Sequence, residues 1–176
     1  MSALRLINET EVANGVTSVN ITDVFSADFD IYKITASTVG NSTTAFNANV
    51  RLINSSGSVI TASNYDYAYL LQKTDTVFAE GRATNQNNMI ALFGTSEQYP
   101  KGSEATTYFF NPYSANSYTF SIAQNFTSYS TLYRVFKYIS VLKQTTSCTG
   151  FNAYVSASAF GTGTVFRTYG LRVDNG

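Results

Sequence analysis

The stretch Phe46–Ile53, with the sequence FNANVRLI, alternates apolar and polar side chains over its first seven positions. Successive side chains of a β-strand point to opposite faces of a sheet, so this alternation predicts a strand that is buried on one face. The residues that follow, Asn54–Ser58, have the sequence NSSGS and predict a turn in which Gly57 adopts a positive φ. A strand that ends in such a turn is the unit from which antiparallel sheets are built.

The same period-two pattern recurs on both sides of this strand. In Tyr65–Gln72 the alternation places three tyrosines on one face of a strand. Phe151–Ala159 shows the same alternation and predicts another strand. The turn residues Gly161–Gly163 then lead into a further predicted strand, Val165–Val173. Further candidate strands are Val16–Thr22, Phe29–Ala36, Met89–Phe93, Ala105–Phe110 and Tyr118–Ala123. About ten short strands with turn residues between them are typical of sandwiches. The sequence therefore predicts an all-β fold, an antiparallel β-sandwich or jelly roll.

One stretch, Thr131–Leu142, fits two periods. Leu132, Val135 and Ile139 follow helical spacing, whereas Tyr133, Val135 and Ile139 follow the spacing of a strand. Because the stretch is rich in aromatic and β-branched residues, we expect a strand, buried on both faces.

The length of 176 residues, without a linker or low-complexity stretch, predicts a single domain over residues 1–176. Residues 1–15 are expected to form an N-terminal arm or an edge strand of that domain. Arg82–Glu104 is the part of the chain richest in loop-forming residues, which predicts a long loop. Long loops on a rigid sandwich commonly carry recognition, and a plain surface connection is the alternative.

The charge content argues against two classes of partner. The chain has 11 basic and 11 acidic residues, and charged residues make up 12% of it. Nucleic-acid binding needs a clustered basic excess that neutralises phosphates, and attraction to an anionic membrane needs the same. No apolar run approaches the roughly 20 residues of a membrane helix. We therefore expect neither a nucleic-acid nor a membrane partner.

The chain contains no histidine and one cysteine, Cys148. Without imidazole there is no Ser-His or Cys-His nucleophile pair and no histidine-ligated zinc. A lone cysteine cannot form an intrachain disulfide or a multi-cysteine metal site. No basic residue close to Cys148 in the sequence would lower its pKa, so we expect a small half-buried structural residue.

The acidic residues are scattered along the chain. Hydrolysis by paired carboxylates needs no histidine, and Asp28 and Asp30, two positions apart and so on one strand face, are the closest candidates for such a pair. With Asp23 they could bind Ca²⁺, but the dense oxygen ligands and the glycine of a calcium loop are missing. We expect solvated or turn-capping side chains here. The sequence predicts no catalytic, cofactor-binding or metal-binding residue, and no enzyme.

Tyrosine is the residue type that suggests a contact surface. Its ring gives a large, rigid contact area and its hydroxyl gives a polar tip, which suits protein interfaces and sugar stacking. Ordinary sheet packing, a subunit interface and a glycan platform all remain open for these side chains. The candidate interface or glycan-contact residues are Tyr65, Tyr67, Tyr69, Tyr113 and Tyr118.

Three stretches resemble a known group of proteins. Val19–Thr35 is similar to an opening in which a strand, a short turn and an Asp- and Tyr-rich strand follow each other. Tyr108–Pro112 resembles an aromatic-Asn-Pro corner, and Gly161–Arg172 resembles a last strand in which Gly-Thr leads into Arg-x-Tyr-Gly. The group comprises the β-sandwich domains of tail fibres and other virion structural proteins of tailed phages. The resemblance covers most of the chain, in the correct order.

The resemblance implies a non-enzymatic phage virion protein: a tail-fibre-like, knob or capsid-decoration subunit. It implies a homo-oligomer, with a trimer favoured, that contacts other virion proteins and host-surface glycan. The first residues are too short and too soon polar for a signal peptide, so we expect synthesis in the host cytoplasm and a final location in the virion. Since the sandwich starts almost at once, a stand-alone subunit is favoured over a fibre tip. The alternative interpretation is a stand-alone carbohydrate-binding module.

Overall fold

The computed structural model describes residues 3–38, 47–75, 78–94, 103–129, 132–157 and 159–172, which form strands and no helix. Phe46, Thr131, Val173 and positions 95–102, for which the sequence predicts strand or loop, lie outside these ranges. The strands are β1 (Ala3–Glu11), β2 (Ser18–Ile21), β3 (Ile31–Thr38), β4 (Asn47–Asn54), β5 (Tyr65–Lys73), β6 (Ala79–Gln86), β7 (Met89–Gly94), β8 (Ser103–Phe110), β9 (Thr119–Tyr129), β10 (Leu132–Leu142), β11 (Cys148–Val155) and β12 (Val165–Arg172).

The strands form two antiparallel sheets. The large sheet has eight strands in the order β1-β12-β3-β8-β9-β10-β5-β6, and the small sheet has four in the order β2-β11-β4-β7. Every strand pair is antiparallel, and the two sheets enclose a common core. The prediction of an all-β antiparallel sandwich is confirmed.

The topology is a jelly roll that carries two inserted hairpins. Among the strands of the described ranges, β1 pairs with β12, β2 with β11, β3 with β8 and β4 with β7, so that the pairs are nested in sequence. Nested pairs shared between two sheets are the arrangement of a jelly roll. The hairpin β5–β6 follows β4, and the hairpin β9–β10 follows β8. Both hairpins join the large sheet beyond β8 and double its width.

Aromatic side chains fill the space between the sheets. Tyr32 is fully buried, and its ring meets Phe25 edge-on with 4.8 Å between ring centroids. The Tyr32 hydroxyl accepts the Ser26 backbone N–H at 2.7 Å and donates to the Ser26 carbonyl at 2.9 Å. Burying a phenol hydroxyl is costly unless it is hydrogen-bonded, so these two bonds let Tyr32 sit in the core.

β10 corrects one expectation for Thr131–Leu142. The described residues from Leu132 form a strand, as expected, but only one face is buried. Tyr138, Ser140 and Leu142 face the core, whereas Tyr133 and Ile139 lie exposed on the opposite face. The expectation of burial on both faces is therefore wrong, because no second layer covers that side within the described chain.

The expectation of a long loop over Arg82–Glu104 is wrong for its first part, because residues up to Gln86 belong to β6. The strand predicted over Met89–Phe93 is confirmed as β7, and Ser103 already begins β8. The polar composition misled the prediction because β6 is an edge strand, and edge strands tolerate charged side chains on both faces.

The two ends of the described chain pair with each other. Residues of the predicted arm or edge strand form β1, which lies at one edge of the large sheet against β12. The strand predicted over Phe151–Ala159 ends at Val155, and Ala157 is exposed. Within the described ranges, no helix has the length and apolar character that crossing a bilayer requires.

Candidate functional site

β9 turns its apolar side outward, which is the reverse of an ordinary sandwich strand. Phe120, Ile122 and Phe126 lie on the face of the large sheet that points away from the small sheet, and each is 45–52% exposed. The residues between them point inward, and Thr119, Ser121 and Asn125 are at most 2% exposed. In a sheet with one wet face, the apolar set is expected on the buried side. This inversion marks the outer face of the large sheet as the candidate functional surface.

Neighbouring strands extend this surface in register. Ile122 lies opposite Tyr108 of β8 and Ile139 of β10, and Phe126 stacks on Tyr133 with 6.1 Å between ring centroids. We call the following six side chains, which are 36–60% exposed, the apolar band: Tyr108, Phe120, Ile122, Phe126, Tyr133 and Ile139. At the far edge of the sheet, Leu4 and Leu6 of β1 are exposed as well.

The apolar band borders a groove of about 640 Å³ across β8, β9, β10, β5 and β6. Ala68 explains its depth, because Ala68 lies between Ile139 on one neighbouring strand and Arg82 on the other, and its methyl group leaves space. The exposed surface of the groove is almost entirely apolar, and its apolar lining residues are Ala68, Ala83, Phe110, Phe120, Ile122, Ile139 and Val141. Six residues with polar side chains also border the groove but expose almost no polar surface to it: Asp66, Tyr67, Arg82, Thr84, Ser121 and Ser140. Its volume is within the range of small-molecule sites, and its openness to one side suits an inserted side chain.

An ion pair fixes one end of the groove. The Lys143 ammonium donates to Asp66 Oδ1 at 2.9 Å and to Asn85 Oδ1 at 2.9 Å. The Asn85 backbone N–H donates to the same Asp66 oxygen at 2.8 Å, and Asn85 adopts a left-handed φ of 54°. The hydrogen bond from Lys143 and then that from Asn85 lower the pKa of Asp66 below its usual value. Asp66 is therefore held as a carboxylate at neutral pH.

The structure separates the three tyrosines of β5. Tyr65 is fully buried, accepts the Leu52 backbone N–H at 3.1 Å and donates to the Ile60 carbonyl at 3.1 Å. Burial raises the pKa of the Tyr65 phenol above its usual value. Its assignment as an interface or glycan contact is wrong in this structure, because it is a core residue that tethers the chain near Ile60.

Tyr67 and Tyr69 lie on the same inward face of β5 as Tyr65, and both are half-buried. Tyr69 packs against Phe136 and Tyr138, with ring centroids 5.9 and 5.8 Å apart. Burial, and next the neighbouring Tyr69, raise the pKa of Tyr67. Tyr69 therefore takes part in sheet packing, the first of the interpretations that the sequence left open, whereas Tyr67 is also one of the residues that border the groove. Neither belongs to the apolar band.

Tyr113 and Tyr118 are exposed, 40% and 44% respectively, on the connection between β8 and β9. This connection, Asn111–Tyr118, follows Phe110 and precedes Thr119, so it lies at the end of the groove that Phe110 and Phe120 line. The structure thus leaves these two predicted contact residues exposed and close in sequence to Phe110 and Phe120, whereas Tyr65 is buried.

The outer face of the small sheet has the opposite character. Asn152 donates to Ser18 Oγ and to Asn20 Oδ1, both at 2.7 Å, and the Arg51 guanidinium stacks over the Tyr154 ring at 4.3 Å. The amide, hydroxyl and guanidinium groups therefore satisfy one another across this face. The two outer faces of the sandwich differ in polarity, so the apolar band is a property of one face.

The structure describes the acidic residues that the sequence singled out and does not pair them on one strand. Asp28 and Asp30 lie exposed in the turn and bend before β3, so the expectation that they share a strand face is wrong. Asp23 lies exposed with a left-handed φ of 58°. No three His, Cys, Asp or Glu side chains cluster at metal-binding distance in the part of the chain that the structure describes. Cys148 is fully buried, and this burial raises its thiol pKa to about 12.

The sequence reasoning missed the residues that now define the surface, namely Phe120, Ile122 and Ile139. A signal was present in β9, because its alternation is clear and its two sets differ in polarity. Alternation alone does not say which set faces the core. The choice depends on which neighbouring strands and layers the strand meets, and these come from distant parts of the sequence.

No family model matches the sequence, and no curated protein matches it. Among solved structures, the chain is similar to one titled "Structure of infectious bursal disease virus Gx strain", with 12% identity and a TM-score of 0.16. The match covers 97% of this chain and 38% of that one, so the chain spans about two fifths of its length. A TM-score this low does not show a common fold, and the match carries no argument about function.

Proposed function

We propose that the chain is a non-enzymatic structural subunit of a phage virion that assembles by burying the outer face of its large sheet. The supporting observation is the inversion of β9. In a solitary monomer the observed register of β9 is unfavourable, because its apolar side chains face water and its polar side chains face the core. A slip of one residue in the pairing of β9 would turn the apolar side chains inward and the polar ones outward. A second protein layer over Phe120, Ile122 and Phe126 removes that conflict, because all three then lie in a dry contact.

The edges of the large sheet favour contact through its face. β1 carries a bulge between Leu6 and Asn8 and the charged residues Arg5 and Glu9. β6 lies across from a bulge between Tyr65 and Tyr67 and carries Glu80 and Arg82. Bulges and edge charges are the devices that prevent strand-to-strand extension into open fibrils. Association through the face gives a closed assembly of defined size when the contact is symmetric, as in a two-fold dimer, or when its rotation closes a ring.

The virion role rests on the sequence resemblance and on analogy of fold. Jelly rolls recur in viral structural proteins and also in lectins, and a fold alone does not fix a function. The motif order over Val19–Thr35, Tyr108–Pro112 and Gly161–Arg172 favours the phage assignment, and with it a trimer. Location in the virion, other virion proteins as partners and contact with host glycan are parts of the same proposal.

The test is the mass of the purified protein in solution, by light scattering and sedimentation at micromolar concentration. We expect an oligomer for the wild type and monomers for Ile122→Thr/Ile139→Thr, which keeps β-branched residues at both positions and so preserves strand preference. The matched control is Asn20→Thr/Tyr154→Thr on the outer face of the small sheet, which should assemble like the wild type. A monomeric wild type, or a control that dissociates as readily as the band variant, would contradict the proposal.

A carbohydrate-binding module is the second candidate, and the polar face of the small sheet is the observation that favours it. Arg51 and Tyr154, with the amide of Asn20 beside Asn152, combine an aromatic ring with hydrogen-bonding groups, as sugar sites do. This function predicts a monomer that is retained on immobilised bacterial polysaccharide. Retention that is lost in Tyr154→Thr and kept in Ile122→Thr/Ile139→Thr would favour it over the structural subunit.

A further inference from the structure

We infer that the groove beside the apolar band receives the tyrosine-bearing connection Asn111–Tyr118 of a second copy of this chain. This inference rests on the proposed self-association and names the contact that directs it.

The lining of the groove suits the ring of a tyrosine. Ala68, Ile122 and Ile139 offer an apolar surface for the ring, and the exposed surface of the groove is almost entirely apolar. A tyrosine combines a large apolar ring with a polar tip, so the ring can enter the groove while the hydroxyl stays at its open side in contact with water.

The connection presents its tyrosines from a rigid base. The Asn111 backbone N–H donates to the Asp30 carbonyl at 2.7 Å, and the Cys148 N–H donates to the Pro112 carbonyl at 2.8 Å. Pro112 is buried, whereas Tyr113 and Tyr118 are exposed. A segment that is already ordered loses little conformational entropy when it docks, so its contacts contribute more of their free energy to binding.

The exposed tyrosines lie close in sequence to residues of the groove. Phe110 and Phe120 line the groove, and the connection begins directly after Phe110 and ends two residues before Phe120. Each copy therefore presents one projection and one groove, which any closed symmetric assembly of identical chains can satisfy. This self-complementarity favours a second copy over an unrelated partner.

The exposed aromatic area approaches what such a contact needs, and the exposed aliphatic side chains beside it add to that area. At roughly 150–250 Å² for a whole aromatic side chain, the exposed parts of Tyr113, Tyr118 and the four aromatics of the apolar band amount to on the order of 400–700 Å² per copy. Ile122, Ile139 and Leu70 are exposed beside them. Stable interfaces bury about 800 Å² per partner, and the largest apolar patch of a typical monomer is about 300–600 Å².

Two complementary variants test the contact. Ala68→Trp fills the groove while adding apolar surface to the band, and Tyr113→Ser/Tyr118→Ser removes the projection. We expect each variant alone to raise the dissociation constant of self-association at least about 30-fold, as loss of an aromatic anchor does. Mixed in equal amounts, the two variants retain one intact contact per pair. Native mass spectrometry should therefore show a species with one copy of each, more abundant than either homodimer.

A cysteine pair gives an independent readout if either variant folds poorly. Ala68→Cys and Tyr118→Cys, prepared separately and mixed under oxidising conditions, should form a disulfide-linked heterodimer. Cys148 should not compete, because it is fully buried and its thiol pKa is raised to about 12. Moving the second cysteine to Asn20, on the opposite face of the sandwich, is the control and should give no such product.

The outcomes separate this inference from the function on which it rests. If both variants assemble like the wild type and the mixed cysteine variants do not cross-link, the groove contact is wrong. Loss of assembly in Ile122→Thr/Ile139→Thr alone would then leave the proposed function standing with its interface elsewhere on the band. A monomeric wild type would overturn both.

Discussion

Tyr69 of β5 lies directly across from Gly81 of the edge strand β6, and its ring occupies the space where a side chain at Gly81 would begin. A Cβ atom built on Gly81 would lie 2.6 Å from Tyr69 Cζ, closer than real Cβ contacts approach. An aromatic ring laid over an edge glycine covers backbone that would otherwise be exposed. The same ring packs on Phe136 and Tyr138, so this pair joins β6 to the rest of the large sheet.

Replacing Gly81 with alanine should therefore destabilise the fold. The new methyl group must displace the Tyr69 ring from Phe136 and Tyr138, and overpacking of this kind costs about 1–3 kcal/mol. Urea unfolding followed by far-ultraviolet circular dichroism measures the change. In a Tyr69→Ala background the penalty of Gly81→Ala should vanish. An equal penalty in both backgrounds would show that the ring contact is not its cause.

The buried hydroxyl of Tyr65 should be worth far more to stability than that of Tyr67. Tyr65→Phe leaves the Leu52 N–H and the Ile60 carbonyl without their buried partner, which we expect to cost about 1–3 kcal/mol in the free energy of unfolding. Tyr67 is half-buried, and Tyr67→Phe should change stability by no more than about 0.5 kcal/mol. Chemical denaturation of the two matched variants makes the comparison, and equal losses would contradict it.

Tyr65 and Tyr67 show that the sequence could predict the face of a strand on which a side chain lies but not how deeply that side chain is buried. Alternation in Tyr65–Gln72 correctly placed Tyr65, Tyr67 and Tyr69 on one face of a strand. It could not show that Tyr65 is fully buried and Tyr67 only half-buried, because that depends on how β4 of the other sheet and the segment around Ile60 pack over Tyr65.

The strands were more predictable than their surroundings for the same reason. Period-two patterns identified most strands, including β10, from residues within each segment. β6 was not predicted as a strand because its composition is polar. Such a composition is acceptable in an edge strand, but only the strand order of the whole sheet shows that β6 lies at an edge. The outward orientation of the apolar side chains of β9 was not predicted, because the sequence does not show whether a partner protein covers that face of the sheet.

Stability should depend on pH through Asp66. The lowered pKa of Asp66 means that its carboxylate stabilises the folded state at pH values above the unfolded pKa of about 4, and that this contribution is lost as pH falls through the folded pKa. Asp66→Asn should therefore be less stable than the wild type at pH 7, and the difference should shrink towards pH 3. Urea midpoints at the two pH values measure it. Lys143→Met should remove most of the same contribution, and a difference that grows on acidification would contradict the assignment.

Self-association should persist at high salt. The side chains of the apolar band are uncharged. The ion pairs that the structure describes on this face, Asp66–Lys143 and Glu9–Arg167, each join two residues of the same chain and not residues of two copies. At ~0.5 M salt exposed ion pairs are strongly screened, whereas burial of apolar surface is not weakened. Sedimentation at low salt and at ~0.5 M salt should give the same oligomer, and Ile122→Thr/Ile139→Thr should stay monomeric in both. An oligomer that dissociates as salt rises would mean that charges between copies, and not the apolar band, hold the assembly together.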